Sequence, residues 1–224
     1  MNVVSYGAGV DSTAMILKML DEGMRIDLVI FADTGDELPE TYKTVETMMF
    51  FLHQRGIKLV IVFNFSKETL SERCLRRGVF PDTFHRWCTR DFKVRPIHKF
   101  YKKYLKGCHI NEYLGIDSAE TKRIKIAKED FITKYYPLVD WKMNRLDCEK
   151  YILEVGFPHV LKSGCVFCPF NSLPRWDYVQ ENYPEGYALA EKVQSTSKHY
   201  KNGDGMLLIR NNQNHDDLCG KGYA

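Results

Sequence analysis

No stretch of the sequence reaches the roughly 18 consecutive apolar residues that a membrane-spanning helix needs. The start, Met1-Asn2-Val3-Val4-Ser5-Tyr6-Gly7, carries neither a basic segment nor a cleavage site, so it does not read as an export signal. An excess of one charge is missing too. The 32 Lys and Arg against 29 Asp and Glu leave a net charge of +3, with a pI near 8.4. That bias is too weak to imply a nucleic-acid partner by itself. An even, regularly spaced cysteine framework is also lacking, since the seven cysteines are odd in number and irregular in spacing. The expectation is therefore a cytoplasmic protein whose cysteines serve as metal ligands, reactive thiols or core residues rather than disulfides. No internal repeat and no interdomain linker stand out.

What is present suits one soluble domain with a small appendage. The 224 residues are 44% hydrophobic and 27% charged, enough to bury a sizeable core. Short β-branched or apolar runs at 3–5, 26–32 and 58–63 alternate with helical patterns. In the first pattern Ala14, Ile16, Leu17 and Leu20 recur. The second opens at Pro39 and runs to about Arg55, with Val45, Met48, Met49 and Leu52 on one face. Strand-helix alternation of this kind predicts an α/β fold: an open, mostly parallel twisted sheet flanked by helices. Further helices are expected over 66–77, 92–105, 144–155, 173–182 and 185–198, and a strand over 112–116. The charged run 122–134 reads as exposed surface. The expected organisation is a nucleotide-binding α/β part over 1–142, followed by a cysteine-containing helical extension and flexible tail over 143–224, both within the same compact unit.

The first turn carries the most chemistry. After the first strand come Gly7, Ala8 and Gly9, then Asp11, Ser12 and Thr13 at the start of a helix. Backbone N–H groups and the helix dipole there favour an anion, and the two glycines allow close approach or positive φ. Asp11 is odd in a phosphate cradle unless it caps the helix or holds Mg²⁺. The turn is neither a Walker A loop, having no Gly-Lys-Ser/Thr, nor a G-x-G-x-x-G fingerprint.

Gly7-Ala8-Gly9-Val10-Asp11-Ser12 resembles the PP-loop, Ser-Gly-Gly-x-Asp-Ser, of the N-type ATP pyrophosphatases. It departs at Gly7, where the pattern has Ser, and at Ala8, where it has Gly; Ser5 lies nearby. Phe31-Ala32-Asp33-Thr34-Gly35, Gly115-Ile116-Asp117 with Arg123, and Tyr136-Pro137-Leu138 with Trp141 resemble segments of the phosphoadenosine phosphosulfate reductase-like branch, in the same order. The resemblance implies an adenine nucleotide, ATP with Mg²⁺, lying across the C-terminal ends of the strands. It implies nucleotide contacts from Ser5, Gly7, Ala8, Gly9, Asp11, Ser12, Thr13, Asp33, Thr34, Gly35, Arg90 and Gly115. Arg90, Lys93 and Arg123 are its cationic contacts to phosphate or sulfate.

Cys165-x-x-Cys168, flanked by Gly164 and Pro169, can place two sulfurs on one metal. With Cys88 and Cys148 it offers four thiolates, which suit a 4Fe–4S cluster or zinc; spacing does not decide. The set is similar to that of the DNA-phosphorothioation sulfurtransferases of the same branch, which implies the cluster. The Cys-Cys doublet of the iron–sulfur reductases is absent. Cys74 and Cys108 fit no pattern. Cys219, in Leu218-Cys219-Gly220, resembles the tail nucleophile of the reductases, with Leu218 where they carry Glu.

The leading expectation is an enzyme that adenylates an acceptor with release of pyrophosphate and then transfers sulfur at an iron–sulfur site. Asp11, Ser12, Lys93 and Arg123 would serve the nucleotide chemistry. The acceptor would be a nucleic acid or a small molecule, with a separate sulfur donor. The rival is a thiol-dependent reductase of adenylyl sulfates, with Cys219 as nucleophile and a thioredoxin-like reductant. A third reading is a non-catalytic sensor of nucleotide or cluster. A homodimer is compatible with all three.

Overall fold

The computed structural model describes residues 1–83 and 85–197. Five strands form one sheet: β1 (Asn2–Tyr6), β2 (Leu28–Asp33), β3 (Leu59–Phe63), β4 (Ile110–Leu114) and β5 (Ile132–Tyr135). Their order is β3-β2-β1-β4-β5, and every pairing is parallel. The α-helices are α1 (Val10–Asp21), α2 (Pro39–His53), α3 (Leu70–Arg77), α4 (Arg95–Tyr104), α5 (Pro137–Asp140), α6 (Arg145–Glu154), α7 (Leu173–Asn182) and α8 (Pro184–Thr196). The expected α/β class and parallel sheet are present. Among the described residues, no helix is long and apolar enough to cross a membrane.

The chain forms two compact units. The first comprises Met1–Asp33, Glu37–Phe63 and Val94–Gly164; the second comprises Thr34–Asp36, Asn64–Lys93 and the described residues from Cys165 onward. In the first unit the sheet is covered on both faces. Val4, Tyr6, Val29 and Phe31 point to one side, against Met15 and Met19 of α1, Met48 of α2 and Ile152 of α6. Val3, Leu28, Ile30 and Ala32, one residue out of phase, point to the other, against Ile97 and Tyr101 of α4. A strand buried on both faces reads as the continuous apolar run seen at 28–32. Residues 143–164 lie in the first unit, with the sheet.

Two elements differ from expectation for local reasons. The charged run ends in β5, whose four residues bury Ile132 alone among polar or exposed neighbours; so short an edge strand leaves little periodic signal. Thr89–Val94 is a π-helical stretch leading into α4, where the sequence suggests plain loop and helix. Helix α3 begins at Leu70 rather than 66, because Thr69 and Glu72 form a capping box.

The middle of the sheet holds one buried charge. Glu112 of β4, 3% exposed, accepts from Ser5 Oγ at 2.8 Å and from Tyr101 Oη at 3.0 Å, with Lys134 Nζ at 4.0 Å. Removing one partner of such a group leaves the others desolvated and unpaired. Glu112→Ala is therefore expected to lower folding stability by about 3 kcal/mol, measured by urea unfolding, whereas Glu154→Ala, with its carboxylate exposed on α6, should change it little.

Candidate functional site

The strand order places a topological switch point between β1 and β4. The chain leaves β1 toward β2 and β3, then returns on the other side to β4. Loops at the C-terminal ends of those two strands diverge, and open α/β sheets bind ligands in the crevice so formed. The loop after β1 is Gly7–Gly9, leading into α1; the loop after β4 begins at Gly115.

Gly9 is the N-cap of α1, in extended conformation, and the first helical bond runs from Thr13 N to Gly9 O at 3.0 Å. The N–H groups of Val10, Asp11 and Ser12 precede that bond, so the helix leaves them without an intrahelical partner. Ser12 Oγ pins the loop, accepting from Gly7 N at 3.3 Å and donating to Gly9 O at 3.2 Å. Positive φ, expected at a glycine, falls instead on Ala8, at 54°. A left-handed residue other than glycine costs about 1–2 kcal/mol, so the departure from the PP-loop pattern at this position stores strain beside the site. Gly9 and Gly115 are required by close approach. A Cβ at Gly9 would lie 2.7 Å from Ser163 Oγ, and one at Gly115 would lie 2.6 Å from Ser12 Cα.

Asp11 turns out to be the centre of an acidic group. It is 8% exposed; its Oδ2 pairs with Arg145 at 2.9 Å, and its Oδ1 has no hydrogen-bond partner. Oxygen atoms of Asp11, Asp117 and Glu120 lie within 4.8 Å of one another. Asp117 accepts from the backbone N of Ala119 and Glu120, and Glu120 pairs with Arg123. Burial pushes the Asp11 carboxyl up to about 6; Arg145 opposes this, while Asp117 and Glu120 add to it. Three converging carboxylates with one buried oxygen unsatisfied form the oxygen-rich donor set that suits Mg²⁺. The residues present thus fit that ion.

The sign of the shift gives a pH prediction. The folded value of about 6 lies above the ordinary carboxylate value of 3.8. The native state then holds the proton more tightly, so stability falls as pH rises through that window. Asp11→Asn is expected to raise the melting temperature of metal-free protein at pH 7.5 and to change it little at pH 4. Thermal melts in chelator at both pH values check this.

The other expected site residues are distributed as follows. In the first unit, Ser5 spends its hydroxyl on Glu112. Thr13 is fully buried and bonded to Tyr6 Oη at 3.0 Å, so neither hydroxyl faces the loop. Asp33 accepts from Tyr42 Oη at 2.9 Å. In the second unit, Thr34 and Gly35 sit against α3: Thr34 O accepts from Leu70 N at 2.9 Å, and Gly35, at φ 78°, has no room for a Cβ beside Thr69. Arg90 is exposed and pairs with Asp91 at 2.8 Å.

The cysteines divide between the units. Cys148, fully buried in the first turn of α6, has its thiol pushed up to about 12 by burial, with Asp11 the next largest cause. Cys88, Cys165 and Cys168 belong to the second unit. Cys168 N donates to Cys165 O at 3.1 Å, closing the turn between them. The Cys88 thiol is raised by burial and then by Cys168, while Lys93 opposes. Cys74 is buried near Asp36 and Cys88, and Cys108 packs at the edge of the α4-side core. Cys219 lies outside the described residues.

Residues 1–160 match the phosphoadenosine phosphosulfate reductase domain. The chain belongs to that family. Two uncharacterized proteins of Methanocaldococcus jannaschii are similar: MJ0066, 28% identical over 88% of this chain and 42% of its own length, and MJ0973, 27% identical over 81% and 44%. The chain thus spans less than half the length of these curated relatives. Among solved structures, the phosphoadenylyl-sulfate reductase of Candida auris, in a phosphate complex, matches with TM-score 0.50 and 21% identity, over 71% of this chain and 75% of that one. It shares the fold. The U34-tRNA thiolase NcsA of Methanococcus maripaludis, with its 4Fe–4S cluster, gives TM-score 0.48 and 14% identity over 87% and 70%.

Glu120, Arg145 and Ser163 are not singled out by sequence, and Asp117 appears only within the Gly115-Ile116-Asp117 segment, with no role of its own. Asp117 had a signal, since it follows the Gly115-Ile116 turn at a strand end as Asp33 ends β2. Arg145 and Ser163 had none, being brought to the loop by segments far along the chain.

Proposed function

We propose that this chain binds an adenine nucleotide at the switch point and uses it to adenylate an acceptor, releasing pyrophosphate, as the first step of a sulfur transfer. The observation that carries the reading is the pairing of a free helix N-terminus, residues 10–12, with the Asp11, Asp117 and Glu120 carboxylates at one crevice. Unpaired N–H groups and the dipole stabilise the charge that develops on phosphate oxygens as the acceptor attacks the α-phosphorus and the bond to pyrophosphate breaks. Asp11, Asp117 and Glu120 would hold Mg²⁺, which neutralises phosphate charge when bound. Arg123, tethered by Glu120, would supply a cation beside the same oxygens. Gly115 keeps the return strand close enough for its loop to reach α1.

The sulfur step rests on the cysteines. Cys88, Cys165 and Cys168 are the proposed ligands of an iron–sulfur cluster. All three lie in the second unit, and Cys165 and Cys168 close one turn, an arrangement in which each thiolate can bind its own iron. Cys148, the fourth cysteine the sequence suggests, lies in the first unit, and its thiol is held protonated by burial and by Asp11, so its use as a ligand would require loss of that proton. A cluster would supply a site for sulfur to bind and leave.

The family match to a reductase domain favours a second reading, thiol-dependent release of sulfite from adenylyl sulfates. One assay separates the two. Anaerobically purified protein is given ATP and Mg²⁺ with candidate acceptors, or adenylyl sulfate with a dithiol. Pyrophosphate release that survives Cys219→Ser is expected. Sulfite release that is lost in Cys219→Ser would establish the reductase instead.

A further inference from the structure

The loop lacks the serine that opens the PP-loop pattern, since Gly7 stands there. Among the described residues, Ser5, Ser12, Thr13 and Ser163 carry hydroxyls on or beside this loop, and the first three are committed. Ser5 donates to Glu112, Ser12 bridges Gly7 N and Gly9 O, and Thr13 bonds Tyr6. The fourth is Ser163. Its Oγ lies 2.7 Å from where a Cβ on Gly9 would sit, with its Cβ and backbone N each at 3.5 Å. Ser163 is part-buried, and its hydroxyl makes no hydrogen bond among the described residues. The segment carrying it is fixed in place, because Leu38 N donates to Gly164 O at 3.0 Å. Gly9 is thereby explained: any side chain at that position would strike this hydroxyl. The same loop borders the unpartnered, buried Asp11 Oδ1, an independent sign that a charged ligand completes the site.

From this elimination we infer that Ser163 supplies the hydroxyl donor to the oxyanion of the bound adenylyl nucleotide, replacing the missing loop serine from a segment some 150 residues away. The ligand class is a phosphate or sulfate oxyanion joined to an adenylyl group. The inference rests on the nucleotide reading above. A residue in this role contacts the anion and not the adenosine, so removing it affects only ligands that carry the anion.

The test is calorimetric titration of wild type, Ser163→Ala and Ser163→Gly with ATP, adenylyl sulfate and adenosine, in the presence of Mg²⁺. A hydrogen bond to a charged group contributes about 1.5–3 kcal/mol, so binding of the anionic ligand is expected to weaken about 10-fold or more. Adenosine binding should stay unchanged. Which of ATP and adenylyl sulfate loses affinity reports whether phosphate or sulfate occupies the position. Unchanged affinity for both in both variants, while wild type binds them, overturns the role of Ser163 and leaves the nucleotide reading standing. A wild type that binds neither ligand, or binds adenosine as tightly as ATP, overturns the nucleotide reading and the Ser163 assignment with it.

Discussion

Asp11→Ala is expected to reduce nucleotide cleavage by on the order of 100- to 1000-fold, the usual cost of deleting a preorganised charge from a reacting site. The expectation follows from what Asp11 does in the fold. It occupies the second position of α1, directly among the free N–H groups, and is buried there against its own ionisation. A carboxylate at a site that binds anions is costly unless a cation intervenes. The neighbouring Asp117 and Glu120 increase that cost, and Arg145 offsets part of it from a half-exposed position. Nothing in the packing of α1 needs the charge, so the variant should fold, with Arg145 turning to solvent. Activity lost together with a retained or higher melting temperature is the expected signature. Loss of both would make Asp11 a structural residue.

Cys88→Ser, Cys165→Ser and Cys168→Ser are each expected to strip most of the iron from anaerobically purified protein. All three lie in one unit; Cys165 and Cys168 close a single turn, and burial and then Cys168 raise the cost of ionising Cys88, which a bound metal relieves by taking it as a thiolate. Cys108→Ser should retain the iron, because Cys108 belongs to the packing beside α4. Cys74→Ser should also retain it, since Cys74 is buried in the packing of α3 and matches no ligand position of the resemblance. Cys148→Ser decides whether the fourth ligand is the one the sequence suggests. Iron analysis and the visible spectrum of each variant read the outcome. If Cys74→Ser removes iron and Cys148→Ser does not, the ligand set lies wholly within the second unit.

The parallel sheet was legible because β1, β2 and β3 are apolar runs punctuated by helices with clear starts: Pro39 begins α2 and Asn144 caps α6. Strand β5 was not, because one buried isoleucine at a sheet edge produces no pattern. The loop at the switch point was legible from Gly7, Gly9 and Asp11, whose spacing is local. Its inner working was not. Which of Ser5, Ser12, Thr13 and Ser163 keeps a free hydroxyl depends on Glu112, Tyr6 and Gly9, and those partners come together only through the crossovers of the fold. Asp117 and Glu120 likewise gain meaning from the pairing of β4 beside β1.

The most direct test of the nucleotide reading is a crystal structure of the protein with Mg²⁺ and an ATP analogue that resists cleavage between the α- and β-phosphates. The phosphate oxygens are expected at the N–H groups of residues 10–12, with the ion on Asp11, Asp117 and Glu120. A nucleotide seated elsewhere, such as the groove of about 230 Å³ between α2 and Phe157–Leu161, with the α1 N-terminus left to water, would contradict it.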